Sequence, residues 1–118
     1  MTSTPEILIV DDTPANIDVL SGLLADYRRR VAIDGATALR LAQTNPPDLV
    51  LLDVVMPRMD GFEVCRRLRA NPATAEIPVI FITALGEVQN ETQGFEVGGV
   101  DYITKPFNAR VVRARVQT

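Results

Sequence analysis

Apolar residues fall along this chain in two alternating rhythms. Five short runs rich in Val and Ile, at 6–10 (EILIV), 29–33 (RRVAI), 48–52 (DLVLL), 78–82 (PVIFI) and 100–104 (VDYIT), read as strands. The third run continues into LVLLDVVMP, where four apolar residues lead straight into Asp53. A run without polar alternation is the signature of a strand covered on both faces.

Helical spacing fills the intervals. Thr13-Pro14 opens the first helix, with Thr as cap and Pro at the first helical position, and Ile17, Leu20 and Leu24 line one face. The second runs over 35–43 with Ala38, Leu39 and Ala42 inward, until Asn45-Pro46-Pro47 stops it. The third opens at Asp60, with Glu63 three residues on as in a capping box; Val64, Cys65 and Leu68 form its stripe, and Asn71-Pro72 ends it. A fourth, over 87–97, is anchored by Val88 and Phe95. A fifth begins near Asn108 with Arg110, Val111, Val112, Arg115 and Val116. Strand and helix in alternation predict an α/β fold: a doubly wound parallel sheet with helices on both faces. In such a sheet ligands bind beyond the carboxyl ends of the strands.

Composition narrows the chemistry. With 118 residues the chain has length for one domain and one core. Its ending, RVVRARVQT, stops inside a helical pattern. We therefore expect a single domain over 1–118, excised or truncated from a longer multidomain protein, with the fifth helix incomplete. No apolar run is long enough for a bilayer, and MTSTPE has no signal-peptide character, so a cytoplasmic protein without membrane contact is expected. The single Cys65 excludes an internal disulfide and reads as a small core residue. A net charge of −3 without a basic face gives no ground for direct nucleic-acid binding. The absence of histidine removes His bases and the usual zinc sites. Of 12 basic residues only Lys105 is lysine.

Polar residues gather where the strands end. Asp11 and Asp12 follow the first, Asp53 the third, Thr83 the fourth and Lys105 the fifth. In a parallel sheet these meet at one rim. Clustered carboxylates repel unless protonated or neutralised by a cation. An all-oxygen donor set favours a hard ion, Mg²⁺ above all with Mn²⁺ as an alternative, and leaves room for phosphate oxygens. Asp53 can then serve as nucleophile, because carboxylates form aspartyl phosphates. Lys105 offers a compact cation and Thr83 a hydroxyl donor. Plainer readings exist for each. Asp11 and Asp12 can cap the first helix, Asp53 can be a strand terminus paired with Lys105, Thr83 is common in strands, and Tyr102 alone reads as core filling. Met56 and Met59 read as packing for the loop over the site. Arginines 28 to 30 lie on or near an edge strand, where charge discourages sheet-to-sheet pairing.

Taken together, IVDD, LLDVVMPRMDG, VIFITA and DYITKPF resemble the receiver domain of two-component response regulators, from about Ile7 to the chain end. The resemblance implies a (βα)5 flavodoxin-like sheet of strand order 2-1-3-4-5. It implies Asp53 as phosphoacceptor, with Asp11, Asp12, Asp53 and the Val55 backbone carbonyl around Mg²⁺. Thr83 would be the switch hydroxyl, Lys105 the phosphate-binding lysine and Tyr102 the switch aromatic. The Lys105–Pro106 peptide is usually cis in this family. The donor would be a phosphohistidine on a sensor histidine kinase or a histidine phosphotransfer protein. Phosphorylation would reshape the surface around the fourth helix and fifth strand. That change would control a C-terminal output domain or partner protein, among them cyclic-dinucleotide enzymes. A dimer would form through the fourth helix, fifth strand and fifth helix. Val55 and Leu85 occupy positions that tune loss of the phosphoryl group to water. Apart from self-directed phosphotransfer and dephosphorylation, no enzyme activity is expected.

Three rivals use the same residues differently. A phosphatase of the haloacid dehalogenase type needs a second Asp two residues after the nucleophile, where Val55 stands. A flavin-binding module needs a phosphate-cradling loop after the first strand, where the acids of DDTPAN repel phosphate. A degenerate receiver would bind partners without phosphorylation, yet all the key residues are present.

Overall fold

The computed structural model describes residues 4–84, 98–99, 101–105 and 107–117. Five strands form one parallel sheet: β1 (Glu6–Val10), β2 (Arg28–Ala32), β3 (Leu49–Asp53), β4 (Val79–Ala84) and β5 (Asp101–Lys105), in the order β2-β1-β3-β4-β5. Four described helices, α1 (Pro14–Leu23), α2 (Gly35–Thr44), α3 (Gly61–Ala70) and α4 (Ala109–Gln117), cover its two faces. α4 is the fifth helix of the sequence expectation. The helix expected over 87–97, Leu85 and the Lys105–Pro106 peptide lie outside the described residues.

Every observed strand begins within one residue of its expected start; in β1, β3 and β4 the apolar runs are the buried segments themselves, whereas the edge strand β2 buries only Ala32. β3 is buried at all five positions, as its unbroken LVLL required. Strand alternation divides its side chains between two cores. Leu8, Val10, Val50, Leu52, Val79 and Phe81 pack with α2 and α3. Ile7, Ile9, Leu51, Ile80, Ile82 and Ile103 pack with α1 and α4.

β2 is an edge, and its arginines tie it down. Arg29 donates to the Ser21 carbonyl at 2.7 Å, and Arg30 donates to the carbonyls of Leu41 and Asn45 and pairs with Glu6. The edge therefore carries fixed charge, which opposes pairing with another sheet.

The helix starts differ in instructive ways. Thr13 stands at the first cap, but its side chain makes no cap bond; Asp11 Oδ1 accepts the Thr13 N–H at 2.9 Å instead. Asp60 does cap α3, accepting the Glu63 N–H at 2.9 Å. The Glu63 carboxylate turns outward to Arg66 and Arg67. The cap of α2 is Asp34, which accepts the Thr37 N–H at 2.7 Å.

Candidate functional site

The winding direction changes between β1 and β3, since β2 lies on one side of β1 and β3, β4 and β5 on the other. The carboxyl ends of β1 and β3 thus flank the crevice where ligands bind in this architecture. Register decides which side chains meet there. The last β1–β3 pair is Val10↔Leu52, so one step further places Asp11 beside Asp53. Asp11, Asp53 and Lys105 share the parity of Ile9, Leu51 and Ile103, and so emerge on the α1–α4 side. Thr83 and Tyr102 have the opposite parity, with Phe81.

The distances follow from this register. Lys105 Nζ lies 3.5 Å from Asp53 Oδ2 and 3.8 Å from Asp11 Oδ2. Asp11, Asp12 and Asp53 each offer a carboxylate oxygen within 4.8 Å of the others. Asp11 is fully buried and Asp53 3% exposed, whereas Asp12 faces solvent. Burial first, and the Asp11 charge second, raise the Asp53 carboxyl from 3.8 to about 6. Lys105 and the Val55 N–H, which donates to Asp53 Oδ1 at 3.3 Å, pull the other way without prevailing. One ammonium cannot neutralise three carboxylates.

The two carboxylate oxygens of Asp11 have different surroundings. Its Oδ1 holds the Thr13 N–H, while Oδ2 is buried without a hydrogen-bond partner among the described residues. At 3.8 Å Lys105 is within ion-pair reach of Oδ2 and beyond hydrogen bonding. A buried carboxylate oxygen left this way is strongly disfavoured unless a cation or donor meets it. The donor set is oxygen throughout, so the residues fit a hard divalent cation.

Thr83 and Tyr102 lie on the neighbouring strands. Thr83 is 2% exposed, and its Oγ1 likewise lacks a hydrogen-bond partner among the described residues. Tyr102 is buried, with its ring centroid 5.7 Å from that of Phe81, which in turn lies 5.2 Å from Phe62 of α3. Val55, in the loop after β3, is 67% exposed beside the acids. Met56 and Met59 pack loop 54–60 down: Met56 is buried in the α2–α3 core and Met59 packs against that core, close to Gly35 at the start of α2.

Comparison with known proteins shows the family. The family model described as the response regulator receiver domain matches residues 7–117. This chain is a receiver domain of the response regulators. Over 115 residues the receiver is 48% identical to the "DNA-binding dual master transcriptional regulator RpaA" of Synechocystis, covering 96% of this chain and 48% of that protein. It is also 48% identical, over 95% of its length, to a Vibrio cholerae protein named "Probable cyclic di-GMP phosphodiesterase", of which it spans 26%. The receiver superposes on the crystal structure of the Vibrio cholerae chemotaxis protein CheY4 with a TM-score of 0.91 at 30% identity, each chain covered to 98%. It thus spans about half of one curated relative and about a quarter of another.

Loop 54–60 holds what sequence reasoning missed. Gly61 donates its N–H to the Val54 carbonyl at 2.9 Å and closes the loop, and Arg58 takes a left-handed φ of 69° within it. The DG pair was visible in LLDVVMPRMDG; the closeness of Gly61 to Asp53 is a property of the folded backbone alone.

Proposed function

We propose that this receiver is a phosphorylation-activated switch, with Asp53 as its phosphoacceptor. The observation that carries the reading is the meeting of Asp11, Asp12, Asp53 and Lys105, from three strand ends, around a shared charge deficit. The donor is a phosphohistidine of a sensor kinase or a phosphotransfer protein. Asp53 Oδ2, which lies 3.5 Å from Lys105 Nζ at the rim, attacks phosphorus in line. An O–P bond forms, the P–N bond of the donor breaks, and its electron pair returns to the imidazole nitrogen.

Asp11, Asp12, Asp53 and the Val55 carbonyl would hold Mg²⁺, which when bound neutralises the carboxylates and the phosphoryl oxygens. Lys105 adds a fixed positive charge to the transferred group. The unsatisfied Thr83 hydroxyl donates to a phosphoryl oxygen, and its displacement makes room for Tyr102, which shares its side of the sheet. The surface around β5 and the segment expected as a helix over 87–97 then passes the signal to an output domain or partner. Relatives named for DNA binding and for cyclic di-GMP hydrolysis fit this reading of a portable switch. The protein is cytoplasmic, part of a longer regulator, and its only catalysis acts on itself. No helix among the described residues is long and apolar enough to cross a membrane.

Intact mass spectrometry tests the reading. With Mg²⁺ and phosphoramidate or acetyl phosphate, the chain should gain about 80 Da, one phosphoryl group. Asp53→Asn or a chelator should abolish the gain. Labelling that survives in Asp53→Asn would remove Asp53 as nucleophile.

A further inference from the structure

We infer that Gly61 is a positioning residue for the phosphoacceptor: its missing side chain lets the first turn of α3 rest on the backbone of Asp53 and fix where the Asp53 carboxylate and the loop after it stand. This rests on the function proposed above and names a residue that function did not use.

Contacts around Gly61 carry the inference. A β-carbon built there would fall well inside 3.0 Å of the Asp53 carbonyl oxygen, and at 3.0 Å from the Asp53 carbonyl carbon and the Val54 Cα. These are backbone atoms, which cannot swing aside as a side-chain tip does. Gly61 also donates its N–H to the Val54 carbonyl at 2.9 Å, while Asp60 caps the helix through the Glu63 N–H. Loop 54–60, which carries the Val55 carbonyl, is therefore pinned at both ends to the same spot.

Either α3 or the end of β3 must yield to a side chain at 61. α3 is held by Phe62, Val64, Cys65 and Leu68, each at most 2% exposed. Withdrawing it would open the α2–α3 core along its length. Past the end of β3 the chain leaves the sheet: the ladder ends at Asp53↔Ile82, one further bond joins the Val54 N–H to the Ile82 carbonyl at 3.0 Å, and only Val54 and Met56 of the loop are buried in the core. The strain passes to Asp53, Val54 and loop 54–60. A shift of about 1 Å there is enough to impair transfer, because in-line geometry is demanding. Gly61 acts on the chemistry without touching the phosphoryl group.

The test compares Gly61→Ala with Leu68→Ala, both in a Gly22→Ala background. Gly22 is a helical glycine whose added β-carbon meets nothing within 4 Å, so the change supports α1 without crowding. Leu68→Ala weakens α3 through a cavity on its third turn, away from Asp53. For each variant, urea unfolding, the Mg²⁺ dissociation constant by calorimetry and the initial phosphorylation rate from phosphoramidate at saturating Mg²⁺ are measured. Gly61→Ala should weaken Mg²⁺ binding and slow phosphorylation, each at least about tenfold. Leu68→Ala should lose stability and keep both values. Wild-type values in a folded Gly61→Ala chain overturn the inference and leave the proposed function standing. Equal losses in Leu68→Ala, or a Gly61→Ala chain unfolded by circular dichroism, overturn it too, since Gly61 is then structural alone. A wild-type chain that neither binds Mg²⁺ nor takes up phosphate overturns both.

Discussion

At Asp53, burial beside Asp11 raises the carboxyl from 3.8 to about 6, so the folded chain binds a proton there that the unfolded chain releases. Stability from this group is complete below about pH 4 and is lost as pH rises through 6. In chelator near pH 7.5, Asp53→Asn should therefore unfold at higher urea than the wild type, by on the order of 2 kcal/mol. Because Asp53 is only 3% exposed, solvent screens little of this. The advantage should vanish below about pH 4, where both forms are neutral in folded and unfolded chains. A variant no more stable than wild type near pH 7.5 would contradict the charge crowding. The identities of the acids were readable at the strand ends; the division of Asp11 between its two oxygens was not. It depends on Thr13, whose hydroxyl looked like the cap while its N–H was already held by Asp11.

Among the elements, α4 shows best what long-range structure adds to pattern. Its apolar spacing was legible, and Val112 is buried as the sequence allowed. Its clasp was not. Arg113 reaches back 87 residues to grip Asp26 with two bonds of 2.9 Å, and donates also to the Leu23 carbonyl at 3.0 Å. No local period encodes a partner that distant. The hydrogen bond to Arg113 lowers Asp26 from 3.8 to about 2. A depressed carboxyl contributes stability above its unfolded value, and that contribution is lost as pH falls through about 2. Asp26→Asn should flatten acid unfolding between about pH 4 and 2 and speed amide exchange in α4. Unchanged exchange would mean that Val112 alone seats the helix. The starts of β1, β3 and β4 came out within one residue because burial itself wrote their apolar runs, and the loop that Gly61 closes was hidden because no residue type states how near two backbones pass.

For the molecule as a whole, an ion held at the uncompensated rim would couple binding to folding. At a hundredfold excess over its dissociation constant, Mg²⁺ should raise the unfolding free energy by about 2.7 kcal/mol, provided the unfolded chain binds none. Urea unfolding with and without Mg²⁺ measures this. Asp12→Asn should blunt the effect while leaving the chelated protein almost unaltered, because Asp12 faces solvent. No gain in the wild type would take the metal out of the account. The sheet has one more consequence, through its alternation. Asp11, Asp53 and Lys105 look toward one layer of helices, and Thr83 and Tyr102 toward the other. In the proposed switch the sheet is thus a wall between a workshop and a signal post, with the Thr83 hydroxyl as the bell-rope. On that reading, substitutions in the far room should alter the listener and leave the bench as it was.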